Sequence, residues 1–118
     1  MKPEIKGIFS DDIHSLDREG WIPDDPKQIY IPLTLSIGKV GEAAADLFSV
    51  VVATPSAIQG RPERRGSKLL VVQEYDWPEI RATLQRWVAQ CEGPSWEAIV
   101  DCLRRRFDWE YEQMAPPQ

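Results

Sequence analysis

Histidine and cysteine are scarce in this 118-residue sequence, with His14 the single histidine and Cys91 and Cys102 the two cysteines. One histidine and two distant cysteines cannot supply the four ligands of an ordinary zinc site. Long apolar runs are also missing, and none approaches the ~20 residues that a membrane-crossing helix requires. Met1 to Ser10 lack the basic, apolar and small-residue series of a secretory leader, so no membrane partner and a cytoplasmic location are expected. There is no phosphate-binding glycine loop, no dinucleotide-binding glycine pattern and no nucleophile elbow, and hence no implied cofactor. Internal repeats and low-complexity tracts are absent as well.

What is present suits one ordinary core. A hydrophobic fraction of 42% and a charged fraction of 28% are globular values, and the length predicts one domain over 1–118, with 113–118 a frayed tail. The net charge is -5, unevenly spread. Residues 1–60 hold nine acidic and five basic side chains, residues 61–75 two and four, and residues 76–118 eight and five. That acidity disfavours a nucleic-acid backbone and suits a cationic protein partner. Five tryptophans are many for the length, and each is a large apolar anchor with one polar handle.

Periodicity predicts the elements. Lys2 to Phe9 reads as a short strand, and Ser10 to Lys27 as a long connection punctuated by Asp, Gly and Pro. Ile29, Ile31, Leu33, Leu35 and Ile37 then alternate with Tyr30, Pro32, Thr34 and Ser36, which is a strand with one face on a core. Pro32 lacks a backbone donor, so this strand is expected at an edge or bulged there. Gly38 to Gly41 is a turn. Leu47 to Thr54 is the next strand, with Phe48, Val50 and Val52 on one face. Leu69 to Tyr75 is almost continuously apolar and is expected in the middle of the sheet.

Asp76, with Glu79 three residues on, caps a helix whose stripe is Ile80, Leu84, Trp87, Val88 and Cys91. Ser95 caps a second, with Trp96, Ile99, Val100, Leu103 and Phe107. Phe107 to Glu112 changes to period two, a last short strand. The predicted fold is α+β: a mainly antiparallel sheet of about five strands in the order β-β-β-β-α-α-β, with both helices on one face. Cys91 lies two residues before the Gly93-Pro94 turn and Cys102 eight after it. That offset across a helical hairpin favours two buried thiols in a reducing compartment over a disulfide.

Few residues invite chemistry. His14, beside Asp11 and Asp12, is a formal candidate for a general base, but no Ser or Cys nucleophile has a defined place near it, which favours a solvated loop histidine. Asp108, Glu110 and Glu112 would share one face of the last strand. Such a row can hold a hard cation or act as an acid/base pair, yet a solvated or structural face balanced by Arg104, Arg105 and Arg106 is the commoner arrangement. The Arg61 to Lys68 loop is basic but has no interleaved aromatic to stack a base, so it reads as a solvated loop. Trp21 stands in an acidic loop with Asp17, Glu19, Asp24 and Asp25. An aromatic anchor in a charged rim suits a binding hot spot, and Trp21 folding back over the sheet's end suits it equally.

Taken in order, several segments resemble the immunity protein 8 family, small bacterial proteins that protect a cell from a polymorphic toxin. These are Glu4 to Ser10, the alternating strand from Ile29 to Gly38, Phe48-x-Val50-x-Val52-x-Thr54-Pro55, and Tyr75-Asp76 before the first helix. Cys91-Glu-Gly-x-x-Trp96 and Phe107-x-Trp109-Glu110-Tyr111-Glu112 complete the series, which spans almost the whole chain. The resemblance implies a non-catalytic inhibitor that caps or blocks a cognate toxin domain, and it fixes neither the toxin's activity nor any contact residue. The expected toxin-facing residues are Asp11, Asp12, Trp21, Asp24 and Asp25, with Glu110 and Glu112 extending the patch. A basic nuclease domain would suit their charge. The alternative is a small-molecule-binding or hydrolytic domain using His14 or the row Asp108, Glu110 and Glu112.

Overall fold

Alternation in the second strand decides how the sheet faces. In the computed structural model, which describes residues 1–10, 13, 22–59 and 68–111, β2 (Tyr30–Lys39) buries Ile31, Leu33, Leu35 and Ile37 and leaves Tyr30, Pro32, Thr34 and Ser36 half-buried. It pairs antiparallel with β1 (Pro3–Phe9) on one side and with β3 (Asp46–Ala53) on the other. β3 keeps the same parity, burying Phe48, Val50 and Val52 on the core face. The turn between β2 and β3 needs two glycines. Gly41 has φ +84, and a Cβ on Gly38 would sit 2.2 Å from the Ala44 carbonyl oxygen.

The rest of the sheet is short. β4 (Leu69–Val71) runs parallel to β3 beside Val51 to Ala53, and β5 (Asp108–Trp109) runs antiparallel beside Phe48 and Ser49. The outer edge of β3 is therefore shared by two small strands lying end to end, and the strand order is β1-β2-β3-β4 with β5 also on β3. The sheet is mainly antiparallel, as expected.

Two placements differ from the sequence reading. β2 is interior, not an edge. Val51 sends its N–H to the Lys68 carbonyl at 2.9 Å, away from β2, so Pro32, its cross-strand partner, sits at a non-hydrogen-bonded pair. The donor Pro32 lacks would have pointed toward the β1 side, where the last pair is Phe9 with Thr34. The ladder loses nothing. Conversely, β4 is the outer strand and only three residues long; Leu70 alone is buried while Leu69 and Val71 are exposed. An apolar run without alternation signals burial on both faces only if it stays extended, and this one ends soon after its last ladder bond, from the Val72 N–H to the Ala53 carbonyl at 3.0 Å.

The helices lie on the core face. α1 (Pro55–Gln59) is a single turn after β3 that the sequence reading missed; Pro55 opens it, and Thr54 accepts the N–H groups of Ala57 and Ile58. α2 (Trp77–Ala89) starts at Asp76, whose carboxylate accepts the Glu79 N–H, and buries Ile80, Leu84 and Val88. α3 (Trp96–Leu103) starts at Ser95, which accepts from Ala98, and buries Ile99, Val100 and Leu103. Fully buried Phe107 joins the layers, meeting Phe48 of the sheet edge-on at 6.4 Å and Trp87 of α2 at 6.0 Å. The final strand stops at Trp109, short of the Glu112 expected.

Cys91 and Cys102 form a disulfide, with Cα atoms 5.5 Å apart, which corrects the expectation of free thiols. α2 ends at Ala89, so Cys91 belongs to the turn and helical register does not set its position. The turn carries it back against the last turn of α3. Closing a loop of sequence separation 11 stabilises the fold by about 3 kcal/mol on a chain-entropy basis. Replacing both cysteines with serine is expected to lower the melting temperature by about 10 °C, and adding a reductant to the unsubstituted protein should give a similar fall in the same scanning-calorimetry experiment.

Candidate functional site

The carboxylates nearest the C-terminal strand are engaged by backbone. Asp108 accepts the Lys68 N–H at 3.2 Å, at the junction where β4 and β5 both begin. Glu110 accepts the Leu47 N–H through its side chain and gives its own N–H to the Leu47 carbonyl at 3.0 Å. These two side chains close the seam between the short strands and β3. A carboxylate that already takes a backbone donor is poorly placed for proton transfer, and this pair points to a tether. Arg104 lies 5.8 Å from the Trp109 ring centroid and pairs with Asp101 at 3.9 Å, and Arg106 lies over Trp87 at 4.5 Å.

Asp46 is a third tether. At the start of β3, its Oδ2 accepts the indole N–H of Trp96 and that of Trp109, each at 3.2 Å. One oxygen thus holds α3 and β5 against the first residue of a core strand. Beside it, Gly38, Lys39, Glu42, Ala44, Ala45 and Trp96 line an open cleft of about 270 Å³, at or below the small end of ligand pockets. Its charges are matched locally, with Lys39 bridging Glu42 at 3.4 Å. Among the described residues, no group of three or more His, Cys, Asp or Glu side chains is placed to hold a metal ion.

Asp24 and Asp25, ahead of β2, have no such task among the described residues. Both are exposed; Asp25 only caps its own turn, accepting the Lys27 N–H at 2.9 Å. Tyr75 donates its N–H to the Pro26 carbonyl at 2.7 Å, which brings exposed Glu74 and Asp76 to the same end of the sheet. Burial raises the Tyr75 phenol above its usual pKa, so it stays neutral there.

The sequence model of the family described as Immunity protein 8 matches residues 4–114. The chain belongs to this family. Neither a curated protein nor a solved structure matches it. For an immunity-family protein, the relevant surface is one open to a protein partner, and the sequence-predicted residues divide accordingly. Asp24 and Asp25 stand before β2, whose first residue pairs with the end of β3, whereas Glu110 is bonded at the start of β3. They lie toward opposite ends of one strand, roughly 20 Å apart by strand rise. Asp11, Asp12, His14, Trp21 and Glu112, with the basic loop through Ser67, fall outside the described residues.

Sequence reasoning missed Asp46, because the partners of its carboxylate are fifty and sixty-three positions away. Asp46→Ala should cost about 2 kcal/mol by urea denaturation, since two half-buried indole donors lose a charged acceptor but regain some water. Asp46→Asn, which keeps an acceptor oxygen, should cost less than half as much.

Proposed function

We propose that this protein binds and neutralises a cognate bacterial polymorphic toxin domain, protecting the cell that produces it. The single observation behind this reading is family membership over residues 4–114. The charge supports it: at -5, an acidic inhibitor captures a basic toxin quickly and repels acidic bystanders. A basic nuclease domain is the toxin class that suits it best. The mode of action is occlusion and not turnover. Exposed Asp24 and Asp25 form part of the steering surface, together with Asp11, Asp12 and Trp21 of the same connection. Glu110 and Glu112 act at a second acidic place. Neutralisation is proposed to occur in the cytoplasm, an element that the Cys91–Cys102 bridge weighs against, since disulfides are rare in reducing compartments.

The decisive experiment begins with the genes. The neighbouring upstream reading frame should encode a large secreted protein ending in a toxin domain. Expression of that domain alone should stop growth, and co-expression of this protein should restore it. In stopped-flow binding, raising salt from low to physiological strength should slow association at least about tenfold. Asp24→Lys with Asp25→Lys should slow it similarly at low salt while leaving dissociation nearly unchanged. A failure of co-expression to restore growth would remove the proposal.

A further inference from the structure

The helices cover one face of the sheet, and the other face does not have the polar surface usual for a solvated antiparallel sheet. The pairing places its side chains in cross-strand rows: Gly7, Ser36 and Leu47; then Phe9, Thr34, Ser49 and Asp108; then Pro32, Val51 and Leu69; then Tyr30, Ala53 and Val71. Within these rows Val51 and Ala53 are shielded, but Phe9 is 45% exposed, Leu47 39%, Leu69 38% and Val71 49%. Asp108 is the only charge in these four rows; the next row along β1 and β2 adds Glu4, which stands opposite Gly38 and is neutralised by Lys6 at 2.7 Å. Large apolar groups and depletion of charge mark the centre of a protein interface.

Resting on the toxin-neutralising reading above, we infer that this open face, centred on Leu47, Leu69 and Val71, is where the toxin domain docks. The occupant is a protein surface with an apolar centre and a basic surround. The charge distribution selects that partner and that side of the molecule. Residues 77–107, which form the helical layer, carry five arginines against four carboxylates, whereas the other described residues carry nine carboxylates against five lysines. A basic partner is therefore drawn to the sheet side and repelled by the arginines behind it. A second copy of this chain would bring two acidic sides together, so the same distribution opposes self-pairing. Four strands at ~4.8 Å spacing and four to five residues of rise give roughly 300 Å², rather over a third of what each partner buries in a standard complex. The remainder is the rim, to which Asp24, Asp25 and Glu74 contribute at the end of the sheet near Val71.

The test uses the toxin domain encoded beside this gene, carrying an inactivating substitution, and isothermal titration with two double variants. Leu47→Lys with Val71→Lys puts two cations on the open face; Gln85→Lys with Gln90→Lys adds the same charge to the exposed side of α2. The first is expected to weaken binding at least about 100-fold and the second less than threefold. Both positions in the first pair are well exposed, and Leu47→Ser with Val71→Ser, expected to weaken binding about tenfold, replaces it if thermal unfolding shows that the lysines prevent folding. Unchanged affinity, or equal loss in both double variants, overturns the docking assignment and leaves the toxin-neutralising reading standing. No binding by the unsubstituted protein overturns both. Sedimentation equilibrium that shows a dimer, dissociated by Leu47→Lys with Val71→Lys, assigns the face to a second copy and also overturns the inference.

Discussion

Burial of one side of β2 and β3 is the constraint on which the rest of the structure is built. Leu35, Ile37, Leu103 and Phe107 are fully buried, and each side chain of that kind contributes roughly 1.5–3 kcal/mol when removed from water. Because side chains alternate along a strand, a slip of one residue in β2 would turn Leu35 and Ile37 outward together. The pairing of β2 with β3 runs from Tyr30–Ala53 to Ile37–Asp46, and the two helices read that surface through Ile80, Leu84, Val88, Ile99, Val100 and Leu103. Phe107 then settles between Phe48 and Trp87. The position of every other element follows from which face the helices occupy.

Acidic side chains serve two purposes that the fold keeps apart. Asp46, Asp108 and Glu110 each accept an N–H from a different element, so their charge is spent on cohesion around β3. Asp24 and Glu74 point to solvent at the far end of the sheet, and Asp25 does no more than cap a turn. This second group is the one whose charge no other described element of the fold engages. Net charge says how acidic a protein is; the hydrogen bonds say which of its acids remain for interaction.

Where the sequence was legible, local physics governed. The alternation from Ile29 to Ile37, the Asp76 and Ser95 caps and the stripes of α2 and α3 each involve residues a few positions apart, and the structure follows them. Where it was illegible, distant partners governed. Pro32 reads as an edge residue until the direction of the Val51 N–H is known. Leu69 to Tyr75 reads as a central strand until its single neighbour is known. The cysteines read as mismatched until the end of α2 at Ala89 places Cys91 in the turn. The apolar open face was hidden for a similar reason, since Phe9, Leu47 and Val71 belong to three strands and gather only through pairing. Asp24 and Asp25 could be nominated from the sequence, whereas the separation of Glu110 from them could not.

The shared outer edge of β3 also has a bearing on biogenesis. Leu47 to Ala53 is uncharged, without proline and rich in β-formers, the composition that favours intermolecular strand pairing. Part of its edge is occupied when Leu69 to Val71 has been synthesised, but the stretch at Phe48 and Ser49 waits for Asp108 and Trp109. A chain emerging from the ribosome thus carries a sticky, half-covered strand until Asp108 and Trp109 have been translated. The C-terminal dipeptide strand acts as the closing stitch, and chains released early would be the ones that aggregate.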